Sequence, residues 1–308
     1  MQILVTGVSG YVGAALVPRL QREGHAVRGF ARSPARVAAA GVELDDLVVG
    51  DAQTGRGLDE ALEGVDVAYY LIHSMEAAAA GAFPAAEAAA ATAFAAAAED
   101  ARVRRIVYLG GLVPPDAPLS RHLASRLAVE EALTTAVPEP IAFRASIVIG
   151  ARSRSFRFLV RLIERLPVMA LPAWRENRTA PIDGRDMLEY LARAATAPSE
   201  LAGRSWDIGG PDVMTYAAMI ARISDALMVR RPALGLGLSL TPVASVVAAA
   251  IAGEDPALIE PLMESLEHDL LPRDGDAAGA FGVRLHKFDA AVERALREWE
   301  HTEELAAR

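Results

Sequence analysis

Short β-rich runs alternate with helical patterns along the first half of the chain, and this alternation restricts the fold more than any other feature. Parallel strands need a crossover connection, which is usually a helix that then covers the sheet. The alternation therefore predicts an α/β protein with a parallel sheet covered by helices on both faces. The predicted strands are Ile3–Thr6, Ala26–Phe30, Leu47–Val49, Val65–Ile72, Arg105–Leu109 and Ile141–Ile149.

The alternation stops after Gly150. Helical patterns at Phe156–Leu166 and Asp186–Ala197 flank the proline-rich stretch LPVMALPAW. A strand-like segment, SWDIGG, follows at 205–210. From Thr215 onward the pattern is mostly helical. The clusters PPDAP (114–118) and RDGDAAG (273–279) are predicted loops.

This pattern predicts two closely coupled parts. A core of residues 1–150 is completed by about 180–210, and residues 151–179 and 211–308 form a smaller, mostly helical lobe on the substrate side.

Bulk composition excludes several function classes. A net charge of -9 argues against binding to nucleic acid, and the absence of cysteine excludes disulfides and thiolate chemistry and fits a cytoplasmic protein. Met1 leads directly into the first strand without an export signal. The alanine-rich tract 77–98 is interrupted by Gly81, Pro84 and Glu87, and the apolar run 243–252 is short, so no membrane insertion is expected.

The segment TGVSGYVG (6–13) follows the first strand and opens a helix, the context in which a glycine pattern indicates a phosphate loop. In such a loop the glycines allow a tight turn, close approach of a diphosphate, and close packing of helix on sheet, while free helical N–H groups face the anion. The alternative is an ordinary glycine turn. The loop predicts a Rossmann-type, doubly wound sheet that binds a dinucleotide through Gly7, Ser9, Gly10, Tyr11, Val12 and Gly13.

The end of the second predicted strand favours NADP(H) over NAD(H). A carboxylate there would bind the ribose hydroxyls of NAD, whereas arginine can pair with the extra phosphate of NADP. This chain has Arg32, Ser33 and Arg36 and no carboxylate. The alternative is that Arg32 is a solvated surface charge.

Several ordered motifs together resemble the short-chain dehydrogenase/reductase superfamily, in its extended and atypical branch with the NmrA-like NAD(P)-binding proteins. They span nearly the whole chain: TGVSGYVG, GDA (50–52), YYLIHSM (69–75), RIVYLGGL (105–112), HLASR (122–126), FRASIVIG (143–150) and WDIGGP (206–211).

The resemblance implies further cofactor contacts. Asp51 would accept a hydrogen bond from the adenine amino group and Ala52 would line that ring. Leu71 and His73 would pass under the ribose, although His73 is equally well interpreted as a loop residue that bonds local backbone. The nicotinamide would be bordered by Ala145, Ser146 and Ile147.

The position of the family's catalytic pair differs in this chain. Members of the family carry a tyrosine and, four residues later, a lysine that lowers the tyrosine's pKa, whereas this chain has His122 and Arg126, with Gly110 and Gly111 in the family's serine region. Lys287 is the only lysine, so no tyrosine has a lysine four places later. Both side chains would lie on one helical face, Arg126 contacting ribose or phosphate and His122 exchanging a proton near neutral pH. Alternatively, they belong to a solvated basic patch with Arg121.

Other candidate groups carry less weight. Asp183 and Asp186 in PIDGRDM are predicted to lead into a helix with an aspartate cap, and the six histidines are scattered, so no metal site is predicted. Met169 and Trp174 are candidates for a substrate cavity, although the apolar core is the more common location of such residues.

Two functions compete on these observations. The first is an NADP-dependent oxidoreductase that acts on a small, largely apolar molecule. The second is a non-catalytic NAD(P)-binding redox sensor or assembly factor, favoured by the missing tyrosine and lysine, which would need a protein partner or a homodimer. A nucleotide-sugar epimerase or dehydratase ranks third, because those enzymes rely on the missing tyrosine.

Overall fold

A computed structural model describes residues 1–72, 83–114, 119–229, 231–235, 265–273, 276–303 and 305. His73, the start of the alanine-rich tract, most of PPDAP and the apolar run 243–252 therefore lie outside the described residues.

Seven parallel strands form the central sheet, in the order β3-β2-β1-β4-β5-β6-β11. The order reverses direction between β1 and β4, which opens a crevice at the carboxyl ends of these strands. The α/β, Rossmann-type prediction is confirmed. The strands are β1 (Gln2–Thr6), β2 (Ala26–Ala31), β3 (Asp46–Val49), β4 (Val67–Tyr70), β5 (Arg105–Gly111), β6 (Ile141–Ala145) and β11 (Arg204–Ile208).

Helices cover both faces of this sheet, because successive side chains of each strand point to opposite sides. Ile3 and Val5 pack with α1 and α7 on one face, and Leu4 packs with α3, α4 and α5 on the other. The helices of this part are α1 (Tyr11–Arg22), α2 (Pro34–Ala39), α3 (Leu58–Leu62), α4 (Phe83–Asp100), α5 (Arg121–Thr134) and α7 (Gly184–Ala195).

A second apolar core, separate from the two faces of the sheet, involves residues from the latter half of the chain. Its helices are α6 (Arg154–Arg165), α8 (Tyr216–Ala226) and α10 (Phe288–Glu300), and α9 (Ala277–Phe281) packs instead against β11 and α7. Short strand pairs complete this part: β7 (Val148–Ile149) with β10 (Ile182–Asp183), β9 (Arg178–Thr179) with β12 (Met214–Thr215), and β8 (Met169–Leu171) with β13 (Ala233–Gly235). The exact domain boundaries stay a prediction.

Three sequence predictions need correction. The predicted strand Ile141–Ile149 is two strands, because the chain leaves the central sheet at Ser146 and β7 pairs with β10 instead. The predicted strand Val65–Ile72 forms a ladder only at Val67–Tyr70. Part of the predicted loop RDGDAAG is helical, since Asp276 caps α9 by accepting from the Gly279 amide at 2.7 Å.

One buried arginine fixes α7 to the sheet. Arg105 is fully buried at the start of β5 and donates to the carbonyl of Ala194 at 2.6 Å. It also pairs with Glu139 at 2.5 Å. A cation at the carboxyl end of a helix satisfies free carbonyls and complements the helix dipole. No helix among the described residues has the length and apolar character needed to cross a bilayer.

Candidate functional site

A cavity of about 1260 Å³ lies at the carboxyl edge of the sheet. It is lined by the loop after β1, the ends of β2, β5 and β6, the start of α5, and the segment that leads into α6. Open parallel sheets bind their ligands at this edge. The cavity therefore lies where the fold places a binding site.

The glycine loop has the backbone geometry of a phosphate cradle. Gly7 has a φ of +65°, and a Cβ there would lie 2.5 Å from the carbonyl oxygen of Leu71. A Cβ on Gly13 would lie 2.4 Å from the carbonyl oxygen of Gly7, so α1 can approach β1 only with glycine at this position. A Cβ on Gly10 would meet only the Gly7 oxygen, at 3.2 Å, which leaves the cavity side open.

The amino end of α1 suits an anion. Gly10 is the N-cap, supplies no side-chain cap, and is followed by no acidic residue in the first turn. The N–H groups of such a first turn lack helical partners and carry the positive end of the helix dipole. Together with the cradle, these features fit the diphosphate of a dinucleotide.

All but one of the residues predicted to contact the cofactor or to act in catalysis line this cavity. The exception is His73, which lies outside the described residues. The residues brought together are Gly7, Ser9, Gly10, Tyr11, Val12, Gly13, Arg32, Ser33, Asp51, Ala52, Leu71, His122, Arg126, Ala145, Ser146 and Ile147. Their contacts with a cofactor stay predictions.

The end of the cavity near β2 contains the groups predicted to meet the adenosine. Arg32 is exposed and forms no ion pair with any residue that the structure describes. Ser33 caps α2, since its hydroxyl accepts from the amide of Arg36 at 3.4 Å. One carboxylate oxygen of Asp51 accepts from the Gln53 amide at 3.0 Å, and Ala52 is buried beside it.

Residues 145–147 form the turn between β6 and β7. The hydroxyl of Ser146 donates to the carbonyl of Ala180 at 2.8 Å, and the amide of Ile182 donates to the carbonyl of Ile147 at 3.0 Å. These bonds hold the turn against the segment before α7. The wall predicted to border a nicotinamide is therefore fixed by backbone contacts on both sides.

Arg126 is held by a buried polar cluster between α4 and α5. It is 6% exposed, and its guanidinium lies 3.7 Å from the carboxylate of Glu87, which also accepts from Ser125 at 2.9 Å. Arg126 donates to the hydroxyl of Tyr108 at 3.4 Å. Arg126 is thus not part of a solvated patch. Its guanidinium, which was predicted to bind ribose, contacts Glu87, and the sequence did not predict this contact.

His122 lies one turn before Arg126 on α5 and also borders the cavity. Burial, together with the charge of Arg126, lowers the pKa of His122 to about 4. This shift disfavours proton exchange near neutral pH, because loss of water disfavours the charged imidazolium, and the role of His122 stays a prediction. At pH 7 His122 is a neutral hydrogen-bonding group.

Burial raises the pKa of all six tyrosines of the chain. Two of them, Tyr11 and Tyr216, line the cavity, and the pKa of Tyr11 rises to about 12. No tyrosine therefore has the lowered pKa that a neighbouring lysine provides.

The other end of the cavity is largely apolar. Trp174 lines it as predicted, whereas Met169 packs in the second core and is not part of the wall. Arg152 and Arg154 also line this end and were not predicted. The apolar side chains of this wall are Phe158, Leu159, Trp174, Ile220, Leu266 and Leu270.

Of the two aspartates, Asp183 is the predicted helix cap, whereas Asp186 contacts His286 instead. Asp183 caps α7 by accepting from the Arg185 amide at 2.8 Å, and it pairs with Arg294. Asp186 accepts from the backbone of His286 at 2.7 Å and contacts its ring nitrogen at 2.5 Å. One possible ligand atom from each of Asp183, Asp186 and His286 lies within 4.8 Å of the other two, close enough to hold a metal ion. Arg294, however, already balances the charge of Asp183. We therefore interpret the cluster as a link between α7 and the last part of the chain.

Comparisons with known proteins agree with this geometry. A family model described as NAD(P)H-binding matches residues 7–132. Ceramide reductase from Caulobacter vibrioides is 27% identical over 199 residues, which is 64% of this chain and 61% of that enzyme. The alignment thus spans less than two thirds of the relative.

Solved structures share the fold over nearly the whole chain. A short-chain dehydrogenase/reductase superfamily protein from Agrobacterium tumefaciens with bound NAD has a TM-score of 0.70 at 21% identity, covering 97% of this chain and 98% of that one. Triphenylmethane reductase from Citrobacter sp., in complex with NADP(H), has a TM-score of 0.73 at 16% identity, covering 96% and 100%. Residues 7–132 match the NAD(P)H-binding family model, and the whole chain shares the fold of these short-chain dehydrogenase/reductase structures.

Proposed function

We propose that this protein is an NADP-dependent oxidoreductase that reduces a small, largely apolar substrate. The observation that carries the proposal is that the glycine loop, His122 and an apolar wall all line one cavity. A protein that only bound a dinucleotide would need no second, apolar compartment beside the predicted nicotinamide position. The name of one relative, ceramide reductase, specifies a lipid substrate and agrees with such a compartment.

Different regions of the cavity would hold different parts of the cofactor. The amino end of α1 would bind the diphosphate, Asp51 the adenine amino group, and Ala145 to Ile147 the face of the nicotinamide. Arg32, which is exposed and has no ion-pair partner among the described residues, would bind the additional phosphate of NADP. When bound, reduced NADP supplies a hydride to the substrate.

The chain's own residues would position the substrate and exclude water. His122 would donate or accept a hydrogen bond as a neutral imidazole, because its pKa of about 4 leaves it uncharged at pH 7. A group in this state is a poor proton source, so the substrate's proton would come from solvent. This arrangement suits an activated double bond or an imine better than an unactivated carbonyl, which depends more on an acid.

Oxidation of NADPH in the presence of carbonyl, enone and imine panels tests the proposal. We expect turnover of at least one apolar enone or imine, and a rate that shows no ionisation of His122 between pH 6 and 8. Replacement of Trp174 by alanine would raise the KM, because it removes part of the apolar wall. Inactivity across all three panels, by a protein that still binds NADPH, would contradict the proposal.

A specific observation also favours the second function. Arg126 is engaged by Glu87 and Tyr108, and no tyrosine stands in the catalytic position, which is compatible with a redox sensor. A sensor must bind one oxidation state more tightly than the other. Equal affinity for NADPH and NADP⁺, with no effect on any partner, would remove this alternative.

A further inference from the structure

The amino end of α6 forms part of the apolar end of the cavity. Arg152, Ser153, Arg154 and Ser155 all line the cavity where the chain enters this helix. The α6 helix runs over Arg154–Arg165, which is long enough to have a developed dipole. A polar and cationic corner thus lies in an otherwise apolar compartment.

This helix begins without the usual compensation for its free N–H groups. Ser153 occupies the N-cap position, but its side chain accepts no cap hydrogen bond, and the first turn contains no acidic residue. Most serine N-caps accept a hydrogen bond from the second or third helical amide. The positive end of the α6 dipole is therefore not neutralised by its own cap.

The Ser153 hydroxyl is the independent sign of a ligand. Ser153 is 6% exposed, lines the cavity, and has no side-chain hydrogen bond with any described residue. A hydroxyl on a side chain this buried, without a protein partner, is available to a ligand in the cavity. Trp174, which is 7% exposed, lies in the same cavity wall. Its indole nitrogen likewise has no acceptor among the described residues.

The charged side chains that line this corner are two arginines. Arg152 is exposed at the cavity wall and forms no ion pair with any residue in the described ranges, and Arg154 follows on the first turn of α6. Arg152 is also close enough to the hydroxyl of Tyr11 for its charge to lower that group's pKa, against the larger effect of burial. The Ser153 hydroxyl, the amino end of α6 and the Arg152 guanidinium therefore meet at this corner of the cavity.

We propose that this corner, formed by Arg152, Ser153 and the first turn of α6, binds the acidic group of an amphipathic molecule. The apolar body of that molecule would lie against Phe158, Leu159 and Trp174. The identification of this molecule as the substrate rests on the proposed oxidoreductase function. The anion site itself does not, because it can be measured without turnover.

The test is isothermal titration calorimetry on the whole protein saturated with NADP⁺. Octanoate, octyl phosphate and octanol serve as probes that share an apolar chain and differ in the acidic group. We expect both anions to bind at least tenfold more tightly than octanol, because charge-assisted hydrogen bonds discriminate by about this factor. The ratio between the two anions would distinguish a carboxylate from a phosphate ligand.

Variants separate the corner from the rest of the cavity. Arg152→Gln is expected to weaken octanoate binding about tenfold and to leave octanol binding unchanged, and Arg152→Lys should recover part of the loss. Arg297→Gln is the matched control, because Arg297 is equally exposed, has no ion-pair partner among the described residues, and does not line the cavity. Ser153→Ala should weaken octanoate binding without lowering the Tm.

Two results would overturn the inference. One is equal binding of octanoate and octanol, or no effect of Arg152→Gln on octanoate. The other is a loss of NADP⁺ affinity in Arg152→Gln together with competition between octanoate and NADP⁺, which would assign Arg152 to the cofactor diphosphate. If the protein binds octanoate but oxidises NADPH with none of the carbonyl, enone or imine substrates, the proposed function is contradicted and the anion site is still supported.

Discussion

At the scale of single residues, three glycines of one loop have three different physical roles. Gly7 needs a positive φ, Gly13 needs the absence of a Cβ for packing, and Gly10 needs neither to fold. The sequence pattern predicted the loop and its ligand class. The roles of the three glycines were assigned from the general phosphate-loop pattern, and the backbone distances give each role its own physical reason.

A comparison of Gly10→Ala with Gly13→Ala tests this division. Gly13→Ala places a methyl group 2.4 Å from a carbonyl oxygen, so the free energy of unfolding should fall by about 1–3 kcal/mol. Gly10→Ala meets one atom at 3.2 Å, so its Tm should change little, whereas its affinity for NADPH should fall about tenfold or more.

Thermal unfolding with and without NADPH measures both effects. The Glu200→Ala variant is a control, since Glu200 is an exposed residue outside the cavity wall. A Gly10→Ala protein that binds NADPH as tightly as the parent would show that the diphosphate does not approach this loop.

At the scale of secondary-structure elements, α4 and α5 are joined by a buried ion pair. Glu87 is 3% exposed and Arg126 is 6% exposed, and Ser125 and Tyr108 complete the cluster. The loss of one partner leaves an uncompensated charge, whereas the loss of both can be tolerated if the volume is kept. The pair therefore determines how these helices pack, whatever Arg126 contributes to the cavity.

A double-mutant cycle on this pair gives a clear expectation. Glu87→Leu alone should lower the free energy of unfolding by about 3–5 kcal/mol, because it leaves Arg126 buried without its carboxylate. Glu87→Leu combined with Arg126→Met should recover most of that loss. Urea unfolding of the cofactor-free proteins measures both. Additive losses in the double variant would mean that the two side chains do not interact.

The elements also show where sequence patterns fail. The run 141–149 is apolar apart from Arg144 and Ser146, and this pattern does not reveal that the chain turns at Ser146. The hydrogen bonds that hold the turn go to Ala180 and Ile182. Similarly, Leu71 extends a β-rich run, but its amide donates to the side-chain hydroxyl of Thr6 at 3.0 Å, and not to a backbone carbonyl of the neighbouring strand. Both differences depend on partners distant in sequence.

At the scale of the whole molecule, local signals predicted the fold class. Almost all the residues predicted to bind the cofactor line one cavity, because strand ends of a parallel sheet share one edge. The surroundings of the charged groups could not be predicted from the sequence in the same way. Glu87 lies in an alanine-rich tract, far from Arg126 in sequence, and no local spacing indicates their contact. The pKa of His122 likewise depends on burial that only the packed α5 provides.

The central claim is that the cavity binds NADP through the glycine loop and Arg32. Calorimetric titration of NADPH and NADH into the parent protein, Arg32→Gln and the control Arg297→Gln tests it most directly. We predict that the parent and the control bind NADPH at least tenfold more tightly than NADH, and that Arg32→Gln loses this preference while it retains NADH. A parent protein that retains neither nucleotide at millimolar concentration would contradict the account.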